Sequence, residues 1–93
     1  MRSISKTKQF RKDQKRELKG AHKNSLVQDL AELVTLLADD EKLPESYQDH
    51  PLSGEWKDFR DAHIHPDLIL IYRKVADHSL ELVRLGSHSE LGL

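Results

Sequence analysis

Residues 56–85, WKDFRDAHIHPDLILIYRKVADHSLELVRL, decide the fold. From Trp56 to His65 the chain alternates, placing Phe59, Asp61, His63 and His65 on one face and Arg60, Ala62 and Ile64 on the other, the period-two pattern of a strand. Pro66 lacks the N–H a ladder needs, so it ends the strand and seeds a turn with Asp67. Leu68 to Tyr72 is apolar without interruption, as expected of a central strand covered on both faces. Ala76-Asp77-His78 reads as a hairpin tip, returning into a third strand over Leu80–Leu85 that Gly86 ends. Ser87-His88-Ser89 then follows as a polar tail.

Upstream of this sheet the grammar is helical. Leu26, Leu30, Leu33, Val34 and Leu37 fall at i, i+4, i+7, i+8 and i+11, one unbroken apolar stripe. Ser25 and Gln28 have the spacing of a capping box. Asp39-Asp40-Glu41 opposes the helix dipole at the far end, and Pro44 stops continuation. An earlier helix over Lys8–Ala21 has only a narrow stripe of Phe10, Gln14 and Leu18, closed by Gly20 and His22-Lys23-Asn24. Ser3–Lys6 is an edge strand at most, and residues 45–55, with Pro51 and Gly54, form a loop. The order β-α-α-β-β-β predicts one α+β domain over residues 1–93, two antiparallel N-terminal helices packed on a small, mainly antiparallel β-sheet.

Composition narrows the function classes. There is no cysteine, hence no disulfide, thiol nucleophile or thiolate metal site. The longest apolar run, Leu68–Tyr72, is too short to span a bilayer, and the first residues lack the apolar core of a secretory signal. These features predict a soluble, cytoplasmic protein with no membrane partner. The net charge of −1 conceals a balance of +7 over residues 1–24 and −8 over residues 25–93. Lys8, Arg11, Lys12, Lys15, Arg16 and Lys19 crowd the first helix, which suits a polyanionic partner such as RNA; the same run also reads as a solvated helix face.

His50, His63, Asp67, Arg84 and His88 are the residues that suit chemistry. The turn through Pro66 brings His63 and Asp67 to one sheet edge, the end of the last strand brings Arg84 and His88 there, and His50 needs only a fold-back of its loop. Imidazoles titrate near neutral pH and serve as general acid and base without a metal or cofactor. No serine lies in a nucleophile elbow, no glycine-rich phosphate loop is present, and His63-x-His65 lies on a strand rather than in an HExxH helix. That set suits metal-free RNA cleavage, where the substrate's own 2′-hydroxyl is the nucleophile and an arginine steadies the phosphorane. Each of these histidines taken singly reads more readily as a surface or hydrogen-bonded structural residue than as a catalytic one. By the same token His22 and His78 read as exposed, His65 as a turn residue, and Trp56 and Phe59 as core.

The stretch HPLSGEWKDFRDAHIHPDLILIYR (residues 50–73) and the closing RLGSHSEL (residues 84–91) resemble the YafQ branch of the RelE-like toxins, the toxin halves of bacterial type II toxin–antitoxin modules. The resemblance extends over effectively the whole chain. It implies a ribosome-dependent mRNA endonuclease silenced by a cognate antitoxin, DinJ- or RelB-like with a ribbon-helix-helix DNA-binding half, so that operator DNA is reached only through that partner. The family's catalytic histidines match His50, His63 and His88, its aspartate Asp67 and its arginine Arg84. On this footing His88 is the general acid, Asp67 with or without His50 the general base, His63 an orienting group and Arg84 the charge stabiliser. Some relatives carry an aromatic after the aspartate and another near the C-terminus, where this chain has Leu68 and Leu91-Gly92-Leu93. A toxin fold that binds antitoxin and nucleic acid with weak or no cleavage is the alternative.

Overall fold

A computed structural model describes all 93 residues, ordered as β1 (Ser3–Lys6), α1 (Lys8–Glu17), α2 (Leu26–Ala38), β2 (His50–Pro51), β3 (Arg60–His65), β4 (Leu68–Val75), β5 (Ser79–Gly86) and α3 (His88–Leu91). Single turns of 3₁₀ helix at Glu45–Tyr47 and Gly54–Trp56 flank β2. The sheet has five strands in the order β1-β5-β4-β3-β2. Strands β2 to β5 pair antiparallel with their neighbours, while β1 runs parallel to β5 along its outer edge.

One face of the sheet carries α1 and α2. Leu26, Leu30, Leu33 and Leu37 of α2 meet Phe10 of α1 and the sheet residues Ala62, Leu68, Leu70, Tyr72, Leu80, Leu82 and Leu85. Each fully buried leucine contributes roughly 1.5–3 kcal/mol, so the α2 stripe is the chief source of helix–sheet cohesion. On the opposite face Ile69, Ile71 and Val83 pack under Leu91 of α3, with Leu52, Trp56 and Phe59 at the margin. Strand β4 is therefore covered on both sides, as its unbroken apolar run requires.

The outer edge of β5 is closed in two ways. Over Ser79–Leu82 it pairs with β1. Beyond Leu82 the chain of β1 has turned into α1, and side chains replace the missing strand. Thr7 caps α1 by accepting the Phe10 N–H at 2.9 Å, and its hydroxyl donates to Val83 C=O at 2.7 Å. The Leu85 N–H donates to Asp13 Oδ2 at 3.0 Å, and the Leu85 C=O accepts from Arg16 Nη2 at 2.7 Å. A helix thus satisfies a strand edge.

Several sequence expectations are corrected. Helix α1 ends at Glu17 and buries Phe10 and Asp13, while Leu18 is exposed. Ser25 makes no side-chain cap; its N–H and that of Leu26 both go to the His22 C=O, so the backbone takes up the Ser25 donor that the glutamine was expected to satisfy. Strand β3 begins at Arg60 rather than Trp56. The polar tail after Gly86 is the start of α3, whose Ser87 and Glu90 form the capping box that Ser25 does not. The register of β3 on β4 shifts between His63 and His65, a bulge that moves His65 off the face of His63.

Leu33→Ala should lower unfolding free energy by about 2–5 kcal/mol, the cost of a cavity in a packed core. Val27→Ala on the exposed side of the same helix should change it by no more than about 0.5 kcal/mol. Urea denaturation of both variants measures the contrast.

Candidate active site

Strand alternation in β3 puts Asp61 and His63 on the face away from α1 and α2. Asp61 pairs with His50 of β2 in the ladder, and α3 places His88 across from them. The His50 and His63 rings are 6.3 Å apart between centroids, and those of His63 and His88 are 5.3 Å apart, meeting edge to face. His50 and His88 are exposed and His63 is half-buried, so the imidazoles form an open shelf. Asp61, only 2% exposed, lies beneath them.

The His50 tautomer follows from its partners. Its Nδ1 is 2.7 Å from the Gln48 C=O, which can only accept, so Nδ1 carries the proton and, in the neutral ring, Nε2 carries the lone pair. Asp61 Oδ1 is 3.0 Å from the same Nδ1 but accepts no hydrogen bond, because the N–H is aimed at Gln48. The contact is therefore one of charge. Burial pushes the Asp61 carboxyl above its ordinary value, opposed by His50, His63 and His88 in that order, with Asp49 adding to the rise. The loop bearing His50 is clamped next door, where Asp49 accepts two hydrogen bonds from Arg60, at 3.1 and 3.3 Å, and one from the buried Tyr72 hydroxyl.

The other two expected site residues, Asp67 and Arg84, each have a partner outside the imidazole shelf. Asp67 is exposed and accepts from His22 Nε2 at 2.8 Å; that hydrogen bond is the main cause of its carboxyl lying below the usual value. His22 in turn stacks on His65, with centroids 4.1 Å apart, and His65 Nε2 is 2.9 Å from Asp29. This second cluster fastens the α1–α2 turn and α2 to the β3–β4 turn. The facing charges of Asp67 are His22 and His65, not the imidazole shelf; His22 is half-buried rather than exposed, and His65 is the last residue of β3 rather than a turn residue. The bulge after His63 is the physical reason, since it turns the end of β3 toward the helices.

Arg84 is half-buried and its Nε donates to Asp13 Oδ2 at 2.7 Å. Asp13 is fully buried and also accepts from Arg16, Gln9 and the Leu85 N–H. Burial raises its carboxyl, but the bonds from Arg84, Leu85 and Gln9 more than offset this and hold it below its ordinary value. Arg16 continues the network to α3, reaching Glu90 at 3.1 Å. A Cβ on Gly86 would lie 2.8 Å from Arg16 Nη2, so any other residue there would push that guanidinium from its present place on Leu85. Of the bases expected to meet RNA, Arg16 is thus committed to holding the fold. Lys8, Arg11, Lys12, Lys15 and Lys19 are exposed and take part in no ion pair.

The largest groove, about 710 Å³, runs between α2 and the His63–His65 edge of β3. Asp29 and Glu32 line it, and a phosphate backbone would be repelled there. Volume does not mark the site; the imidazole shelf does.

A family model of the bacterial YafQ toxin of type II toxin–antitoxin systems matches residues 2–92. The chain belongs to the YafQ toxin family. The mRNA interferase toxin YafQ of Escherichia coli strain K12 is 45% identical over 91 residues, covering 97% of this chain and 95% of that protein. The crystal structure of the E. coli DinJ–YafQ complex superposes with a TM-score of 0.82 at 42% identity, covering 98% of both chains. A metal-bound toxin from Helicobacter pylori superposes with a TM-score of 0.80 at 44% identity, covering 98% of this chain and 99% of that one. The YafQ fold and the α+β reading of the sequence agree. Sequence reading missed two residues: Asp61, whose i, i+2 spacing from His63 was a usable signal, and Asp13, which meets Arg84 from 71 residues away.

The two buried carboxylates have opposite signs of pH linkage. Asp13, held below its ordinary value of 3.8, stabilises the fold above that pH and ceases to as pH falls through its depressed value. Asp13→Ala should cost about 3 kcal/mol at pH 7, the low end for a broken buried pair because both arginines reach solvent. Asp61, held above 3.8, penalises the fold once it ionises, so Asp61→Asn should be at least as stable as wild type at pH 7. Urea unfolding at pH 7 checks both signs.

Proposed function

We propose that this chain is the toxin of a type II toxin–antitoxin module and cleaves mRNA on the ribosome by side-chain acid–base catalysis, in the cytoplasm, until a DinJ- or RelB-like antitoxin occupies it. The observation that carries the reading is the convergence of His50, His63 and His88 over buried Asp61. Attack of a 2′-hydroxyl on the adjacent phosphorus needs a base at the hydroxyl and an acid at the departing 5′-oxygen. His50 Nε2 is the base, because its Nδ1 proton is already spent on Gln48. His88, on the far side of His63, is the acid. His63 between them orients both rings.

Arg84, held by Asp13 through Nε and Nη2, has its remaining nitrogen, Nη1, to offer to the phosphorane. Asp67, turned to His22, is not poised to take a proton and keeps the β3–β4 turn in place. Acid, base and charge stabiliser are all side chains, so no step requires a metal; the metal of the H. pylori relative is a property of that protein. Relatives with an aromatic after the aspartate have a base-stacking group there, whereas Leu68 is fully buried in the helix-side core and offers none. The message is therefore gripped mainly by the ribosome and by phosphate contacts.

The unpaired bases of α1 and the turn after it supply those contacts to rRNA. They position the toxin without reading sequence.

Expression of the wild-type chain without antitoxin should arrest bacterial growth, and His88→Ala should relieve the arrest while lowering message cleavage about 10²–10⁴-fold. Asp67→Asn should lose less activity than His50→Ala; the reverse order would return the base to Asp67. Absence of arrest by a well-expressed wild-type chain would favour a binding module over an enzyme.

Reversing Arg11, Lys12, Lys15 and Lys19 to Glu, and sparing Arg16, should weaken ribosome co-sedimentation and flatten its salt dependence, by about one unit of slope for each phosphate no longer neutralised. Equal binding with equal slopes would make the basic run a solvated face.

A further inference from the structure

The residue resemblance leaves Asp61 without a part in the reaction. We propose that Asp61 is the positioning residue of the general base, the carboxylate that carries the countercharge when the His50 ring becomes an imidazolium; this rests on the assignment of His50 as base. Four observations meet on it. Asp61 Oδ1 lies 3.0 Å from His50 Nδ1, the nitrogen opposite the one that takes the proton. The carboxylate is buried under the ring, and its near oxygen accepts no hydrogen bond, so it contributes no bond that would explain it as a structural residue. The ladder pairs His50 directly with Asp61, which sets the two side chains side by side on one face. Finally, the charged and titratable groups facing it, His50 from β2, His63 from β3, His88 from α3 and Asp49 from the preceding loop, include all three imidazoles of the shelf.

Buried polar atoms in folded proteins are almost always paired, and an unpaired carboxylate oxygen is a cost the fold bears for another reason. The reaction supplies it. As the 2′-oxygen bonds to phosphorus its proton passes to His50 Nε2. The bond from phosphorus to the 5′-oxygen breaks, its electron pair stays on that oxygen, and His88 delivers the proton it needs. The products are a 2′,3′-cyclic phosphate and a 5′-hydroxyl, and one positive charge has moved from His88 to His50. Asp61 faces both rings, so the migrating charge stays within the field of one fixed anion, and the end of the path is the ring it touches. In other acid–base sites a carboxylate beside the nitrogen opposite the reacting one stabilises the protonated ring without itself taking the proton; there it also accepts the N–H, which here goes to Gln48, so Asp61 acts through charge.

The test is single-turnover cleavage of ribosome-bound message between pH 5 and 9 by wild type, Asp61→Asn, His50→Ala and the double variant. Asp61→Asn should lower the plateau rate about 10–10³-fold, the size expected for losing an opposite charge at contact distance. The ascending limb of its pH–rate profile should move to lower pH, because the ring then keeps its lone pair further into acid; a packing defect would lower the rate with no such displacement. In the His50→Ala background Asp61→Asn should add nothing, since residues acting through one another are non-additive. A wild-type rate for Asp61→Asn, an unmoved limb, or equal losses in both backgrounds would overturn the inference while leaving His50 as base. A wild-type rate for His50→Ala would instead remove the base assignment itself. A second measurement needs no variant: carbon-13 and nitrogen-15 NMR titration of the wild-type chain should show the Asp61 carboxyl responding at the pH where the His50 ring titrates, and independent responses would overturn the pairing.

Discussion

The buried carboxylate of Asp13 is the contact on which the remainder of this molecule depends. A small sheet that places a helix along its last strand leaves backbone groups of that strand without a partner, and burying them unpaired would cost about 1–3 kcal/mol each. Asp13 and Arg16 stand in for the missing strand on both polar groups of Leu85. The same carboxylate fixes Arg84, and the same arginine reaches Glu90, whose capping box starts the helix that bears His88. One ionic network therefore closes the sheet edge, orients the candidate phosphate-binding arginine and seats the candidate acid.

The two faces of the sheet divide the work. The helix face holds most of the leucines and nearly all the cohesion, with Phe10, Leu33 and Tyr72 among its fully enclosed side chains. The other face has a small apolar cluster under Leu91 and Trp56, and beside it the imidazole shelf open to a large ligand. A polymer such as mRNA needs such a shelf rather than an enclosed cavity. The largest groove lies on the acidic helix side and does not suit a polyanion.

Much of this was legible in the chain because it follows from period. The leucine stripe of α2, the unbroken apolar run of β4 and the hairpin at Ala76–His78 lead directly to the observed architecture. His50, His63 and His88 were legible as a set, and they do converge. What periodicity could not supply were events that break it. The bulge after His63 turns His65 and the Asp67 turn toward the helices, where His22 and Asp29 hold them. Asp13 reads locally as one acid in a basic helix, and only the close approach of β5 reveals it as a buried hub. Asp61 was on the face already assigned to His63; its burial, not its position, was the missing information.

If the shelf cleaves RNA by activating the substrate's own 2′-hydroxyl, the products carry the signature of that route. The most direct measurement is the chemical nature of the ends produced on a ribosome-bound message by the wild-type chain, read by mass spectrometry of the two fragments. A 2′,3′-cyclic phosphate, or the 3′-phosphate it hydrolyses to, facing a 5′-hydroxyl is the predicted result. A 3′-hydroxyl facing a 5′-phosphate would mean that water attacked the phosphorus, and would contradict the roles assigned to His50, His88 and Asp61 together.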